Sequence, residues 1–595
     1  MKINKIYNIL LAGALLFGLS SCQEFLNRPS EDNYNTSNFY LNDEQCLQGV
    51  NYLYNSPWYD FQRGFIKIGE VMSGNMYWGS SPYLNFSTNG TDADLINMSY
   101  SLWAVNGHCN TVIKNICESQ GNISEKVKNQ AIGEALTLKA LAYFFMVRTF
   151  GEVPIVHDNS ELLAGDYNSI YKVSRENVYD YIIYTLETAL QLLPKKTSGW
   201  DNRIDYYAAE GLLSKVYLTK AGIKGSVDRD DMSKASELAK DVIDNSGRSL
   251  TPVYSDIFRL SPSTYNQTGE PMISWMWAAG RDPWTQQNTL QSDLGIVGFS
   301  ETGDLWGGWG GPSVDLMDAF GVDPLEDPRT RADFDSRRKA TIMMAGDTYD
   351  YFWTDKGGFD LLRFIYDPEY GKGGPGGVFQ GPCGAQNVKH LYGDTYDHVQ
   401  ATGLQPGNMC YQLPTHILRL SDVYLIYAEA ELALGNSDNA LEYVNKVRER
   451  AYGSYFDAFG KLDSITWEDI WKERRLEFAG EGDRWYDFVR LSYYDMDGAI
   501  ARIKSQRRNE MYSYGEPCEN YFKTGFDLAS GKWNLSAAEW VIDPSVTLYN
   551  DKTPAPNVTA ASFTLPFPTE DLVFNPNLKE DAIEIDVRES YKYEF

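Results

Sequence analysis

The stretch "NQAIGEALTLKALAYFFMVRTFGEVPIV" at residues 129–156 has the clearest periodicity in the chain. Its small and apolar residues recur at steps of three and four, a spacing that predicts a helix with one apolar stripe: Ala131, Ala135, Leu138, Ala142 and Phe145. Gly151 and Pro154 follow and are typical of a helix end. We therefore expect a long helix here that packs along its stripe.

Similar helical patterns occur on both sides of a long interruption. "SRENVYDYIIYTLETALQLLP" (174–194), with Ser174 as its expected cap, precedes the pair "YYAAEGLLSKVYLTKAG" (206–222) and "MSKASELAKDVIDNSG" (232–247). A second pair, "SDVYLIYAEAELALGN" and "SDNALEYVNKVRERA", covers 421–451. Helix pairs rich in small residues resemble tetratricopeptide repeats. The alternative is a plain helical bundle, because the match to the repeat consensus is loose.

Between these blocks, from about residue 251 to 412, long periodic runs disappear. "LWGGWGGPS" (305–313) and "YGKGGPGGVFQGPCGAQ" (370–386) predict loops, and residues 515–561 are also loop-like. Long loops held on a rigid scaffold commonly carry binding sites. We expect the binding function in this part of the chain.

The N-terminus has the features of a secretion signal. Lys2 and Lys5 precede an apolar run from residue 9 to 19, which is too short to span a bilayer. "LSSC" then ends at Cys22 and resembles the bacterial lipobox, in which the cysteine receives a diacylglycerol. We predict a lipoprotein signal peptide at 1–21 and a lipid-anchored tether at 22–40. The alternative is an ordinary signal peptide in which Cys22 is incidental.

Composition and motifs exclude several classes of function. The 595-residue chain has a formal net charge of -28, which argues against a nucleic-acid partner. The other cysteines are scattered and the five histidines form no close pair, so we expect no metal site and no cofactor. Cys109 and Cys117 remain possible disulfide partners. We find no hydrolase or nucleotide-binding signature, and "DMDG" at Asp495 predicts a turn rather than a calcium loop.

Five segments, in this order, carry a resemblance to a known family. They are "CQEFLNRPS" (22–30), "EALTLKALAYFFMVRTFGEVPIV" (134–156), "LRLSDVYLIYAEAELALG" (418–435), "IWKERRLEFAGEGDRWYDFVRL" (470–491) and "LPFPTEDLVFNPNL" (565–578). Together they resemble the SusD/RagB family of Bacteroidetes surface lipoproteins. The resemblance implies a mainly α fold, in which tetratricopeptide-like helix pairs pack against an irregular, loop-rich ligand-binding part with few short strands. It implies an N-terminal helical part at 41–250 and a C-terminal part with the binding loops at 251–595.

The resemblance also implies a function. Such a protein is held by lipid at the outer membrane, faces the exterior, captures a glycan without catalysis, and passes it to a SusC-like TonB-dependent transporter. Two alternatives stay open: the same architecture could capture peptides or another nutrient, or the chain could be a surface hydrolase, since 81 acidic residues include many potential carboxylate pairs.

Aromatic residues in loops are the first candidates for glycan contact, because a flat ring covers the CH-rich face of a sugar. Five of the fifteen tryptophans fall between Trp275 and Trp309. Trp275 and Trp277 alternate as in a strand, so we expect one face in the core. The predicted ligand contacts of this region are Trp284, its neighbour Arg281, Trp306 and Trp309.

A second group of candidates lies in "MSGNMYWGSSPYLNF" at residues 72–86. The family often presents aromatic and polar residues of this early segment to the ligand. By that resemblance we predict contacts from Asn75, Tyr77, Trp78 and Tyr83, with Trp78 as the first choice.

The charged run Glu473, Arg474, Arg475, Glu477, Glu481, Asp483 and Arg484 has the residue types of an active site. Its helical context favours salt bridges that hold the fold, with a turn between two helices at Gly480 and Gly482. We also predict a packing role for Arg419.

Overall fold

The structure, a computed structural model, describes residues 39–79, 81–164, 170–279, 287–300, 310–407, 410–543, 548–550 and 556–595. Most of its regular structure is helical. The α-helices are α1 (Asp43–Asn51), α2 (Phe61–Ile66), α3 (Ala93–Glu118), α4 (Glu125–Phe150), α5 (Asn159–Ala164), α6 (Arg175–Leu192), α7 (Tyr206–Lys220), α8 (Arg229–Asn245), α9 (Pro262–Tyr265), α10 (Leu290–Leu294), α11 (Val314–Phe320), α12 (Ser336–Thr341), α13 (Leu361–Tyr366), α14 (Thr395–Thr402), α15 (Leu420–Leu434), α16 (Ser437–Tyr452), α17 (Trp467–Phe478), α18 (Arg484–Ser492), α19 (Met496–Lys504), α20 (Gly515–Gly525), α21 (Thr569–Phe574) and α22 (Val587–Ser590).

The strands are short and form two-stranded antiparallel ribbons. They are β1 (Met76–Tyr77), β2 (Pro271–Trp275), β3 (Gly311–Pro312), β4 (Ile342–Met344), β5 (Thr348–Tyr349), β6 (Phe359–Asp360), β7 (Ala385–Asn387), β8 (Thr415–Arg419), β9 (Glu510–Tyr512), β10 (Phe526–Asp527), β11 (Lys532–Trp533) and β12 (Leu548–Asn550). Among the described residues the pairs are β1 with β3, β2 with β8, β4 with β7, β5 with β6, β9 with β12, and β10 with β11.

Helix α4 contains most of the periodic stretch at residues 129–156. Ser124 caps its start by accepting a hydrogen bond from the Val127 amide, and Gly151 ends it with φ of +74°. We predicted one apolar stripe, but every residue of α4 from Ala131 onward is buried. The helix is therefore central, and its charged residues need internal partners, such as the hydrogen bond from Arg203 Nη1 to Glu134 Oε2 at 2.7 Å.

The long helices pack in series, each against the next: α3 with α4, α4 with α6, α6 with α7, α7 with α8, α8 with α15, and α15 with α16. The two-residue link Gly435–Asn436 makes α15 and α16 neighbours, with Gly435 in the left-handed region. Helix α8 packs directly on α15 although 174 residues separate Asn245 from Leu420 in the chain. The predicted helix pairs thus form one stack, and the loop-rich segment is an insertion between them.

The described helices and strands of the insertion are short, as the loop-rich prediction implies, but the same prediction is wrong for residues 515–561, which contain β10, β11, β12 and a helix. Helix α20 lies within residues 515–561, where we expected only loops. Its Pro517 falls in the first turn, where a proline removes no intrahelical hydrogen bond. Over the described part of the chain, no helix combines the length and apolar character needed to cross a membrane.

Candidate functional site

The charged run that resembles an active site lies inside the protein. Three carboxylates of the run and residues from neighbouring helices, strands and loops form what we call the ionic cluster, whose side chains are all at most 8% exposed: Glu270, Arg337, Lys389, Arg419, Arg450, Glu473, Glu477 and Glu481. Arg419 donates to both carboxylate oxygens of Glu481 at 2.8 Å, to Glu477 Oε1 at 2.9 Å and to Glu270 Oε1 at 2.8 Å. The predicted salt bridges are confirmed, and Arg419 is their centre rather than a packing residue alone.

A second ionic group joins α7 and α15 of the stack to α17 and α18. Arg474 on α17 donates to Asp422 Oδ1 at 2.7 Å and to Asp487 Oδ1 at 3.0 Å. Lys215 on α7 donates to Asp422 Oδ2 and to Asp483 Oδ2, both at 2.7 Å. Burial by itself would raise the pKa of Asp422, but the charges of Lys215 and Arg474 outweigh it and lower that pKa. Carboxylates held in this way stabilise the fold and are not poised for acid–base chemistry.

The turn between α17 and α18 is also as predicted. Gly480 and Gly482 have φ of +84° and +76°. A Cβ on Gly482 would stand 2.3 Å from a ring carbon of Phe65, so this close approach requires glycine.

Trp78 occupies a partly exposed corner at the end of β1. Its backbone oxygen accepts a hydrogen bond from the Ser81 amide at 2.9 Å, and Lys67 Nζ lies 5.2 Å from the centre of its indole ring. Gly310, directly before β3, packs on the ring, because a Cβ there would stand 2.6 Å from Trp78 Cε3. The pairing of β1 with β3 thus holds the early segment against Gly310 and the strand that follows it. We call this arrangement the Trp78 corner.

The other three candidates of the early segment are buried, which corrects our prediction that they face a ligand. Asn75 is 1% exposed, donates to Glu70 Oε2 at 2.9 Å and accepts from Arg475 Nε at 2.8 Å. The Tyr83 hydroxyl donates to Asp92 Oδ1 at 2.7 Å, and that of Tyr77 lies 3.0 Å from a methionine sulfur. Polar groups of this segment are used to fix its path, so Trp78 is left as its ligand candidate.

Several predicted site residues lie outside the described residues. These are Arg281, Trp284, Trp306, Trp309 and the lipidation candidate Cys22. Trp275 and Trp277 are described, and both are buried, at 0% and 4% exposure. Trp275 stacks on Trp58 with 5.1 Å between ring centres, which agrees with the prediction of a core face in this strand.

Two larger openings in the described surface differ in chemistry. The first, the apolar groove, has a volume of about 600 Å³ and is lined by Trp103, Pro154, Val156, Phe567, Phe574 and their neighbours. The second, the polar cavity, has a volume of about 510 Å³ and is lined by charged, hydroxyl and aromatic groups around Arg259 and Tyr351. We did not single out Arg259 or Tyr351 in the sequence, because neither belongs to a motif or a tryptophan-rich loop.

The cysteines and histidines among the described residues form neither a metal-binding group nor a disulfide. No group of three His, Cys, Asp or Glu side chains there is placed to hold a metal ion. Cys109 and Cys117 are both free thiols, and His390 and His398 bond to separate backbone carbonyls, of Gly480 and Leu404. Asp495 caps α19 by accepting from the Gly498 amide at 2.9 Å, as its predicted turn requires.

Comparison with family models gives two matches along the chain. The model described as "SusD family" matches residues 286–582. The model described as "Starch-binding associating with outer membrane" matches residues 25–218. The stack from α3 to α6 and most of α7 therefore falls within one matched segment, and α15 and α16 fall within the other, while α8 lies between the two.

Comparison with individual proteins agrees with the family models. A SusD-like protein from Bacteroides ovatus is 31% identical over 592 residues, which is 97% of each chain. A crystal structure determined with a xylogluco-oligosaccharide is 29% identical, with a TM-score of 0.72, and the match covers 91% of this chain and 99% of that one. A SusD-like protein from Bacteroides fragilis has a TM-score of 0.63 at 20% identity over 93% and 99% of the two chains, a likeness that concerns the fold.

Proposed function

The chain belongs to the SusD family, and from this premise we propose that it is a surface lipoprotein that captures a glycan on an aromatic platform without catalysis. The observation that carries the proposal is the Trp78 corner. There an indole is partly exposed yet held in place by Lys67, by Gly310 and by the β1–β3 ribbon. A ring that is already fixed loses little conformational freedom when a sugar stacks on it.

The remaining members of the platform come from the insertion. Trp309 directly precedes Gly310, whose backbone packs on Trp78, and for this reason we assign Trp306 and Trp309 to the same platform. We include Trp284 and Arg281 because an aromatic ring beside hydrogen-bonding groups matches the two surfaces of a sugar. The relative solved with a xylogluco-oligosaccharide supports glycan as the ligand class.

Delivery to a transporter completes the proposal. The N-terminal family model is described as associating with the outer membrane, and Cys22 lies in a lipobox-like sequence. We infer that lipid on Cys22 holds the protein on the outer face of that membrane, beside a SusC-like TonB-dependent transporter. Growth with labelled palmitate tests the anchor, since Cys22→Ala should abolish labelling and release the protein from membranes.

Affinity electrophoresis tests the platform. Gels containing starch, xyloglucan or laminarin should retard the wild-type protein in at least one case, and no new reducing ends should appear. Trp78→Ala should lose most of the retardation. Trp103→Ala serves as the matched control, because Trp103 is a half-buried tryptophan in the apolar groove, and it should migrate like wild type.

The same experiment separates the alternatives. Peptide binding without any retardation by glycans would favour capture of another nutrient. Release of reducing ends would identify a hydrolase. Equal retardation of wild type and Trp78→Ala would show that the platform lies elsewhere.

A further inference from the structure

The polar cavity is separate from the Trp78 corner and shares no residue with it. The chain forms it from three separate pieces: the helical turn at Tyr254–Phe258 with Arg259 to Thr264, the turn from Asp350 to Thr354, and Leu391 and Tyr392 with helix α14 that follows them. Its volume of about 510 Å³ lies in the range of about 300–1,000 Å³ that is usual for small-molecule sites.

Arg259 is the unusual residue of this cavity. Its guanidinium carbon lies 3.0 Å from the centre of the Tyr351 ring, and its side chain is only 18% exposed. The nearest carboxylate oxygen, Asp256 Oδ1, is 3.8 Å from Nη2, which is beyond hydrogen-bond distance. Within the described part of the chain, no group accepts a hydrogen bond from Arg259. Its five N–H donors are therefore available to a ligand in the cavity.

Burial is costly for a guanidinium in this position. Desolvation lowers the pKa of Arg259, although the charges of Tyr351 and Asp256 act in the opposite direction. A buried charge is normally paired and hydrogen-bonded in proteins. A ligand that accepts hydrogen bonds from Arg259 would remove this cost when it binds.

The wall that carries Tyr351 is held in a strained shape. Trp353 has φ of +55°, in the left-handed region that a bulky residue rarely adopts. The carboxylate of Asp397 stabilises this turn by accepting from the Trp353 amide at 2.6 Å, the Thr354 amide at 3.0 Å and the Thr354 hydroxyl at 2.6 Å. Residues kept in such conformations concentrate at ligand sites, where the fixed shape is part of the function.

The charges of the cavity indicate which ligand it accepts. The described lining residues include three carboxylates, of Asp256, Asp350 and Asp397, beside the cation Arg259. A ligand that carries a carboxylate or a phosphate would therefore meet net electrostatic repulsion. A hydroxyl group accepts from a guanidinium and donates to a carboxylate at the same time. Two neighbouring hydroxyls match the planar fork of Arg259, and the lining rings suit the CH-rich face of a sugar.

We propose that the polar cavity is a second saccharide site, in which a neutral sugar unit binds through a pair of adjacent hydroxyls to Arg259 and Asp256. The proposal rests on the proposed function only for the choice of sugars as ligand class. The site shares no residue with the Trp78 corner and differs from it in shape. The corner presents a partly exposed ring on which a polymer could stack, whereas the cavity has room for one or two sugar units.

Saturation-transfer NMR with short neutral sugars tests the proposal. The probes are methyl β-glucoside, methyl β-xyloside and methyl β-galactoside, with glucuronate as the anionic comparison. Wild type should bind at least one neutral glycoside and should bind glucuronate more weakly than that glycoside. Arg259→Gln and Asp256→Asn should each weaken that binding at least tenfold. Arg502→Gln is the matched control, since Arg502 also lies over aromatic rings, of Trp467 and Trp471, but pairs with Glu468 away from the cavity.

The outcomes are distinct from those that test the platform. Trp78→Ala should keep glycoside binding while it loses retardation in polysaccharide gels. If no neutral glycoside binds to wild type, if glucuronate binds most tightly, or if Arg259→Gln binds like wild type, the second site is wrong. If glycosides bind through Arg259 while no polysaccharide retards the protein, the platform fails and the second site stands. Melting temperatures of both cavity variants exclude misfolding, and Asp256→Asn gives a second reading if Arg259→Gln is unstable.

Discussion

The ionic cluster and the polar cavity each contain an arginine with little exposure, but the two guanidiniums have opposite surroundings. Arg419 is 1% exposed and donates to Glu270, Glu477, Glu481 and the Ser421 hydroxyl. Arg259 rests on Tyr351 with no hydrogen-bond acceptor among the described residues. The same side chain therefore serves two purposes, and the number of its partners distinguishes them.

The number of hydrogen-bond acceptors around a buried charge distinguishes groups that stabilise the fold from groups that can bind a ligand. A buried charge with a full set of partners is costly to disturb, because removal of one partner leaves the others uncompensated. A guanidinium such as that of Arg259, which has an aromatic ring and a distant carboxylate beside it but no hydrogen-bond acceptor, is already partly desolvated and gains hydrogen bonds when a ligand binds. Substitutions in these two surroundings should therefore change stability and binding by different amounts and in different directions.

The largest effect should come from Glu477→Gln in the ionic cluster. Glu477 accepts hydrogen bonds from Arg419, Arg450 and Arg337, and all of these would lose a charged partner. We expect the free energy of unfolding to fall by about 3–5 kcal/mol, as measured by urea denaturation. The control is Glu442→Gln, which removes an exposed pair with Lys446 and should cost about 0–1 kcal/mol. Similar losses in the two variants would contradict the assignment of the ionic cluster to the fold.

The second effect is an acid-dependent loss of stability in the wild type. Burial would raise the pKa of Glu477, but the charges of Arg450 and Arg419 outweigh it and hold that pKa well below the ordinary 4.3. A lowered pKa in the folded state gives stability that is present above about pH 4.3 and is lost as the pH falls towards the folded pKa. Urea denaturation from pH 7 to pH 3 should show a loss of about 2 kcal/mol that depends on Glu477. The difference between wild type and Glu477→Gln should shrink over the same range.

Much of the helical fold around the ionic cluster could be predicted from the sequence. Helix spacing, Gly151, Gly480 and Gly482 are local signals, so the helix pairs and the turn between α17 and α18 could be predicted from it. Ionic partners could not, because Arg419 and Glu270 are 149 residues apart and meet only when β2 pairs with β8. The same holds for the polar cavity, whose residues come from three distant pieces of chain.

Candidate ligand contacts were harder to predict from the sequence, because aromatic residues occur both in the core and on the surface. Trp78 and Tyr83 are five residues apart in one loop-like segment, yet Tyr83 is fully buried and Trp78 is partly exposed. What decides between them is the Asp92 carboxylate, which accepts from the Tyr83 hydroxyl, and the backbone of Gly310, which leaves the Trp78 ring at the edge. Neither partner is visible in the segment itself.

The third effect concerns Glu210, a buried carboxyl that forms no salt bridge with the described residues, although the charge of Lys195 lowers its pKa somewhat. Burial, followed by the neighbouring Asp241, raises the pKa of Glu210 to about 8, and Glu210 Oε2 has no hydrogen-bond partner. A raised pKa gives stability that is fully present below about pH 4.3 and is lost as the pH rises through about 8. Glu210 should therefore have a pH dependence opposite in sign to that of Glu477.

The variant Glu210→Gln tests this sign. It keeps the shape of the side chain and removes the charge, so it should be more stable than wild type at pH 9 by at least about 1 kcal/mol. At pH 5 the two proteins should unfold at nearly the same urea concentration. A variant that is less stable than wild type at pH 9 would show that the carboxylate has a cation partner after all.

The smallest effect should be that of Arg259→Gln on stability, and it is the sharpest test of the comparison. Because no described residue accepts a hydrogen bond from Arg259, its removal strands no hydrogen-bond acceptor, and only the contact with the Tyr351 ring and the long ion pair with Asp256 at 3.8 Å are lost. The free energy of unfolding should stay within about 0.5 kcal/mol of wild type, the range of substitutions away from structural networks. A loss of the size expected for Glu477→Gln would mean that Arg259 holds the fold as Arg419 does. Unchanged stability with lost glycoside binding is the combination that only a ligand-facing arginine produces, since a structural arginine would move both measurements together.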